Sequence, residues 1–336
     1  WSCCLVSCLG IKLNINIKVY LFLLLFFHVI FLPSKVLSIW LESTPLPVAK
    51  SGTSAAILNN EIIVVGGKGI VGNNPLSEIF DIDGKIWRPI SLFPKDFHGF
   101  RIISFQNKIL LCGGYNKDKP TRNCWIYDHS LSNWAQISDM PYARADHAMV
   151  KINNKVFFIG GVGESPEKVM SYNLNYGKWS TSYAIFDDPL YASGFGVYNE
   201  NIAIIGGIEV SNSEISNRFE IFDPKLNKWK KNINYPLSIA SSSVQQIKNN
   251  LHVSGGKTLN PNRTYKEHYS FEKDNWVKKE AMPTPRHSMS SVFIDENWYL
   301  IGGSISPGFF SLFSPTDVVE IYNCLLYTSD AADESS

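Results

Sequence analysis

The chain has 336 residues, 45% of them apolar, 13% aromatic and 18% charged, a balance that excludes a disordered chain over most of its length and allows a sizeable core. A formal net charge of +1 supplies no electrostatic footprint for nucleic acid. Length alone allows one large all-β domain or two ordinary ones.

Val19 to Leu32 (VYLFLLLFFHVIFL) is an unbroken run of fourteen residues with one His as its strongly polar member, and it follows Lys12 and Lys18. With Val36-Leu37-Ser38 after it, this pattern predicts a secretory signal peptide cleaved after Ser38. An uncleaved anchor is disfavoured, because the run falls short of the roughly 20 residues that span a bilayer. The first Met is Met140, so Trp1 to Asn14, with Cys3, Cys4 and Cys8, reads as untranslated sequence read through. The expectation is an exported protein (periplasmic, extracellular or at the cell surface) with no membrane span after cleavage. Residues 1–38 are assigned to the leader and 39–323 to the folded domain. The tail 324–336, which abandons the repeat described next, reads as non-native.

From Ile39 onward two series keep one period. Gly-Gly pairs, each preceded by an apolar run, stand at Gly66, Gly113, Gly160, Gly206, Gly255 and Gly302, at spacings of 47, 47, 46, 49 and 47. Tryptophans follow at Trp40, Trp87, Trp134, Trp179, Trp229 and Trp276, at spacings of 47, 47, 45, 50 and 47. Each unit reads as four short antiparallel strands. The first is apolar and small, as in His147-Ala148-Met149-Val150, and ends in turns such as Asn59-Asn60, Asn153-Asn154 and Asn249-Asn250 that tolerate positive φ. The second runs into the Gly-Gly pair. The third carries an aromatic followed by a polar residue, as in Ile79-Phe80-Asp81, and the fourth opens with the Trp.

Such units cannot bury both faces alone, but packed around an axis they can. The residues just quoted resemble the kelch repeat over Ile39 to Asn323. The expected fold is therefore all-β: a six-bladed kelch β-propeller of four-stranded antiparallel blades. Trp40 precedes Pro47 by the same seven residues that separate Trp87 from Pro94 and Trp134 from Pro141. Ile39 to Pro47 is thus a fourth strand lacking its first three, while the last repeat stops after its third. An N-terminal strand is expected to close the ring by pairing around Val318 to Tyr322.

Outside the two ends only Cys112 and Cys124 remain, on neighbouring strands of one repeat. The sequence leaves their pairing open, and two thiols do not make a disulfide scaffold.

In up-and-down blades the connections between strands 2 and 3, and from strand 4 to the next strand 1, emerge on one face. The 2–3 connections are the long ones, so that face is the expected site. Counting back sixteen residues from each Gly-Gly pair gives Lys50, Phe97, Arg144, Leu190, Ile239 and Arg286, three of them basic. With Asp146, His147 and His287 beside them, and Arg122, Lys257 and Arg263 on loops of that face, they are expected to form a polar ring for an acidic or carbohydrate ligand. The resemblance implies a blander role for Arg144 and Arg286, bonding backbone carbonyls between blades.

Gly67-Lys68-Gly69-Ile70-Val71-Gly72 spells G-x-G-x-x-G, but Asn73-Asn74-Pro75 offers no helix to meet a pyrophosphate. Catalytic and zinc motifs do not occur, and His98, His147 and His287 near innermost strands read as core residues rather than metal ligands. No cofactor is expected. The resemblance also implies enzymes to weigh: copper oxidases similar to galactose oxidase, whose Tyr/His constellation has no match here, and six-bladed sialic-acid mutarotases. The leading expectation is a monomeric recognition module for a protein or glycan, with a mutarotase or epimerase at the channel mouth as the alternative. Asn262-Arg263-Thr264 is a glycosylation sequon.

Overall fold

The computed structural model describes residues 39–70, 72–73, 77–90 and 97–324. Ile39–Asn323 is a compact unit. The signal-peptide assignment and all of the tail beyond Cys324 lie outside the described residues.

Alternation of side chains and repeated turns build six antiparallel blades, five of four strands and, in blade four, one whose inner edge is split into Leu190–Tyr191 and Gly194–Tyr198, both paired with Asn201–Glu209. In the first blade the order from the axis outward is Ser54–Leu58, Glu61–Val65, Ser77–Asp81 and Ile86–Ile90. The innermost strands of the others are Arg101–Phe105, Ala148–Ile152, Gly194–Tyr198, Ser243–Ile247 and Ser290–Ile294. Both Asn59 and Asn60 take positive φ, at 51° and 63°, as a tight hairpin between inner strands requires. The closing strand is where the phase of the tryptophans puts it. Ile39–Glu42 pairs antiparallel with Val319–Asn323, with Trp40 opposite Tyr322. The last blade thus takes its outermost strand from the start of the domain.

Three devices join blade to blade. The first is apolar: buried clusters bridge blades one and two (Ile63, Val65, Ile109, Leu111), two and three, three and four, four and five, and six and one (Leu46, Ile62, Val64, Ile301). The second is the indole. Trp40 Nε1 donates to Glu280 O at 3.0 Å, Trp87 to Thr44 O at 3.0 Å and Trp276 to Ile233 O at 3.1 Å, each acceptor lying just past the outer strand of the preceding blade. The third explains the Gly-Gly pair. The second Gly donates its N–H to a carbonyl of the following blade: Gly114 to Arg144 O, Gly161 to Leu190 O, Gly207 to Ile239 O, Gly256 to Arg286 O and Gly303 to Lys50 O. A Cβ on Gly302 would lie 2.6 Å from Lys50 O, and its φ is +62°, so a side chain there is excluded by both space and conformation.

The junction of blades five and six differs. His252 and His268 fill it, their Nδ1 and Nε2 atoms 2.8 Å apart, against Trp40, Trp298 and Tyr322. His268 Nδ1–H donates to Glu280 O at 3.1 Å, the carbonyl that also takes the Trp40 indole, so His268 Nε2 accepts from His252 Nδ1–H. Burial pushes both imidazoles below the ordinary value, with Lys279 adding to the effect on each. The folded state therefore binds fewer protons than the unfolded chain once pH falls below about 6.5. Stability from this pair is present above that pH and is lost as pH falls towards the depressed folded values. Urea midpoints measured between pH 7.5 and 4.5 are expected to decline, and a His252→Gln/His268→Gln variant should decline less steeply. Parallel profiles would contradict this.

Cys112 and Cys124 stand directly opposite on adjacent strands of blade two, and their sulfurs are bonded.

Candidate functional site

Each inner strand is preceded by one residue with positive φ: Gly52, Gly99, Asp146, Ala192, Ser241 and Ser288, between 50° and 66°. Their backbones link around the axis. Gly52 N–H donates to Ser288 O, Ser288 to Ser241 O, Ser241 to Ala192 O, Ala192 to Asp146 O, and Asp146 to Gly99 O. Left-handed backbone at Ala and Ser costs of order 1–3 kcal/mol per residue and persists where the surroundings impose it, commonly at binding sites. Just outside this ring, the residue after each Gly-Gly pair bridges to the residue before the ring: Lys68 to Ser51, Tyr115 to His98, Val162 to Ala145, Ile208 to Tyr191, Lys257 to Ala240 and Ser304 to His287. The 2–3 and 4–1 connections therefore share one rim. Instead of a helix, a hairpin of Lys68–Gly69 and Gly72–Asn73 follows the first pair, so a dinucleotide fold is ruled out there.

Inside the rim lies a channel of about 370 Å³ lined by the inner strands. Its walls are unequal. Thr53, Ser193, Ser241, Ser288 and Ser290 present hydroxyl-bearing residues, and Arg101, Asp146, Met149 and Phe195 are among the other lining residues. Arg101 reaches from blade two to lie 5.7 Å from the Phe195 ring centre of blade four, and its Nη1 donates to Phe100 O at 3.0 Å. Tyr115 Oη donates to Asp146 Oδ2 at 3.2 Å, and His98 stacks on Tyr115 at 5.0 Å. Burial, then Asp146, raises the Tyr115 hydroxyl pKa well above its usual value, so it keeps its proton. Burial lowers Arg101 and Lys257, and Asp146 opposes both shifts. Burial and the Lys68 charge likewise hold His98 below its ordinary value.

The expected polar ring is only partly of this place. Asp146 and Lys257 are at the mouth. Lys50, Arg144 and Arg286 turn inward and are wholly buried, which corrects the expectation that they face a ligand. The guanidinium of Arg144 gives its donors to five carbonyls of its own blade: Glu164 at 3.0 Å, Gly160 at 2.6 Å, Pro166 and Lys168 at 3.1 Å, and Ser165. Burial brings its pKa down to about 10, still well above neutrality. Arg286 pairs with Glu320 at 2.6 Å and donates to Leu300 O, and Lys50 pairs with Glu78. Where the same position holds Leu190 or Ile239, the side chain is buried and apolar, so the position is a buried socket that demands a partner only when occupied by a cation.

His147 is buried with both ring nitrogens unbonded, held well below its ordinary pKa by burial and the nearby arginines. His287 bonds Ser288 Oγ and Ser306 O and is pushed down to about 4 by burial. Neither ring is set to receive a proton from a ligand at neutral pH. Arg122 and Arg263 lie on outer loops, paired with Glu164 and Glu267.

Sequence reasoning missed Arg101, Tyr115 and Lys68. Two signals carried them. The residue after each Gly-Gly pair is the rim position, and Arg101 begins an inner strand where the other five blades have Ser54, Ala148, Gly194, Ser243 and Ser290. Among the described residues no three metal-ligating side chains come together.

With this geometry in hand, the profile described as Attractin/LZTR1 beta-propeller matches residues 62–308. The chain belongs to that family. Its similar relatives include Beta-scruin of Limulus polyphemus, 26% identical over 68% of this chain and 27% of that protein. Kelch-like protein 15 of Homo sapiens is 24% identical over 59% of this chain and 36% of its own. The Kelch repeat and BTB domain-containing protein 1 of Horsepox virus is 24% identical over 79% and 46% respectively. The chain spans between about a quarter and a half of these relatives, so this family propeller corresponds to one region of each. The kelch character of the repeats, read from Gly-Gly and Trp, agrees with all three.

Proposed function

We propose that this propeller is an exported recognition module that takes an acidic segment of a partner protein into the channel mouth. One observation carries the reading. Arg101 and Lys257 both feel the charge of Asp146, Lys68 acts on the neighbouring His98, and among the described residues none of the three cations has a carboxylate within salt-bridge distance. Elsewhere the buried cations Lys50 and Arg286 are paired. Partly desolvated cations that no ion pair holds create a local positive potential in a chain of nearly neutral net charge, which favours an anionic guest. The kelch relatives support a protein partner, and the Cys112–Cys124 bond supports an oxidising compartment.

A carbohydrate ligand is the second reading, favoured by the hydroxyl-bearing wall of the channel. A mutarotase would need an acid and a base at the mouth. Tyr115 and Asp146 are the touching pair there, but the raised Tyr115 pKa suits a fixed hydrogen bond better than proton exchange.

Panning a random-peptide library against the folded domain, then titrating the strongest synthetic peptide, tests the reading. Asp and Glu should be enriched. Lys68→Glu/Lys257→Glu is expected to weaken that peptide about ten- to hundredfold, in a domain that circular dichroism shows to be still folded. Affinity should fall with added salt. Unbiased peptides, or equal affinity in the double variant, would refute an acidic protein ligand, and binding of neutral glycans instead would favour the second reading.

A further inference from the structure

Two features of the rim face remain unexplained by peptide recognition. The first is apolar. Gly308–Phe313 forms a short 3₁₀ turn in the 2–3 connection of blade six, and Phe309, Phe310 and Phe313 are 69%, 66% and 57% exposed. Their rings cluster, Phe309 lying 6.0 Å from Phe310 and 5.4 Å from Phe313. A patch of three adjacent exposed aromatics is costly in water and marks a surface that something covers.

The second is the sequon in blade five. Asn262-Arg263-Thr264 is the one Asn-x-Ser/Thr tripeptide in the sequence. It lies on the short hairpin of Lys257–Leu259 and Asn262–Thr264, where Leu259 opposes Asn262. Asn262 is exposed, while Arg263 is held aside by its pairing with Glu267 and by the Tyr265 ring at 5.0 Å.

The two features touch. A Cβ built on Gly308 would lie 3.3 Å from Asn262 Oδ1 and 3.4 Å from its Nδ2. The amide that a glycan would use therefore lies against the first residue of the aromatic turn.

We infer that Asn262 carries an N-linked glycan whose first sugars cover the Phe309, Phe310 and Phe313 platform. This rests on the reading of the chain as exported. The bond forms between Asn262 Nδ2 and C1 of the first sugar of a lipid-linked oligosaccharide. The lipid pyrophosphate leaves, and the amide loses one proton to the transferring enzyme's base. The apolar C–H face of a pyranose then stacks on the electron-rich ring faces, removing from water the area that the fold leaves bare. The mouth around Asp146 stays open to its partner, and the blade-five and blade-six edge is shielded.

The domain fused to an independent cleavable leader and secreted from a glycosylating eukaryotic host tests this without relying on residues 1–38. Failure of the native leader is then a separate result. Intact mass should show a glycan that peptide-N-glycosidase removes and that Asn262→Gln and Thr264→Ala each abolish. Enzymatic deglycosylation should raise binding of an apolar fluorescent dye about threefold, and Phe309→Ser/Phe310→Ser/Phe313→Ser should cancel that rise. A secreted, folded domain without glycan overturns the inference. So does a glycosylated domain whose dye binding is indifferent to glycan removal.

Discussion

Replacing Arg286 by Ala is expected to destabilise the propeller by about 3–5 kcal/mol, because it strands Glu320 in an environment with almost no water. Arg286 is fully buried, its Nη1 lies 2.6 Å from Glu320 Oε2, and Glu320 Oε1 already accepts the Thr284 N–H at 3.0 Å. Losing the cation leaves a buried carboxylate with one amide. Its cheapest escape is to take up a proton. The Arg286→Ala variant should therefore lose less stability at low pH than at neutral pH, the reverse of the wild-type trend set by the histidines. Arg286→Met/Glu320→Leu should recover most of the loss, since removing both charges removes the desolvation problem. Urea unfolding at two pH values checks both statements. A loss below about 1 kcal/mol in the single variant would mean that the pair is solvated and would return Arg286 to the list of ligand contacts.

Deleting Ile39 to Leu46 is expected to have the larger effect, loss of the closed ring. The deletion removes the outer strand of blade six, the Trp40 bond to Glu280 O, and Leu46, which is buried between blades six and one. It also bares the edge of Val319–Asn323, an invitation to pairing with another chain. The truncated domain should be largely aggregated or expanded in size-exclusion chromatography. A synthetic peptide of residues 39–47 added during refolding should restore a share of compact monomer. A truncated protein that stays monomeric with an unchanged melting temperature would show that closure is dispensable.

Asking which of these features the sequence already contained separates topology from surroundings. The period of Gly-Gly and Trp is a covalent property of the chain, and each member has a local job: a positive φ at Gly302, an indole bond at Trp40. Blade number and the closing strand follow from counting those members, since a fourth strand without its first three can pair only where a third strand lacks its fourth. The rim could also have been counted, as the residue after each pair, which yields Lys68, Tyr115 and Lys257.

What a cation does at a given register could not be counted. Lys50, Arg144 and Arg286 share one position and differ from Lys257 in direction, and direction depends on what the neighbouring chain offers. Glu78 and Glu320, two residues before the third-strand aromatics Phe80 and Tyr322, draw Lys50 and Arg286 inward, whereas blade three has Met170 there and its Arg144 turns to loop carbonyls instead. Among the described residues no carboxylate stands within salt-bridge distance of Lys257, so the ammonium remains at the mouth. Charge identity is written in one residue, but its pairing, burial and pKa arise from residues many positions away in sequence that only the closed ring brings together. For that reason the sequence by itself determined the propeller and its accessible face, and the tertiary structure decided which charges hold the blades and which are left to meet a partner.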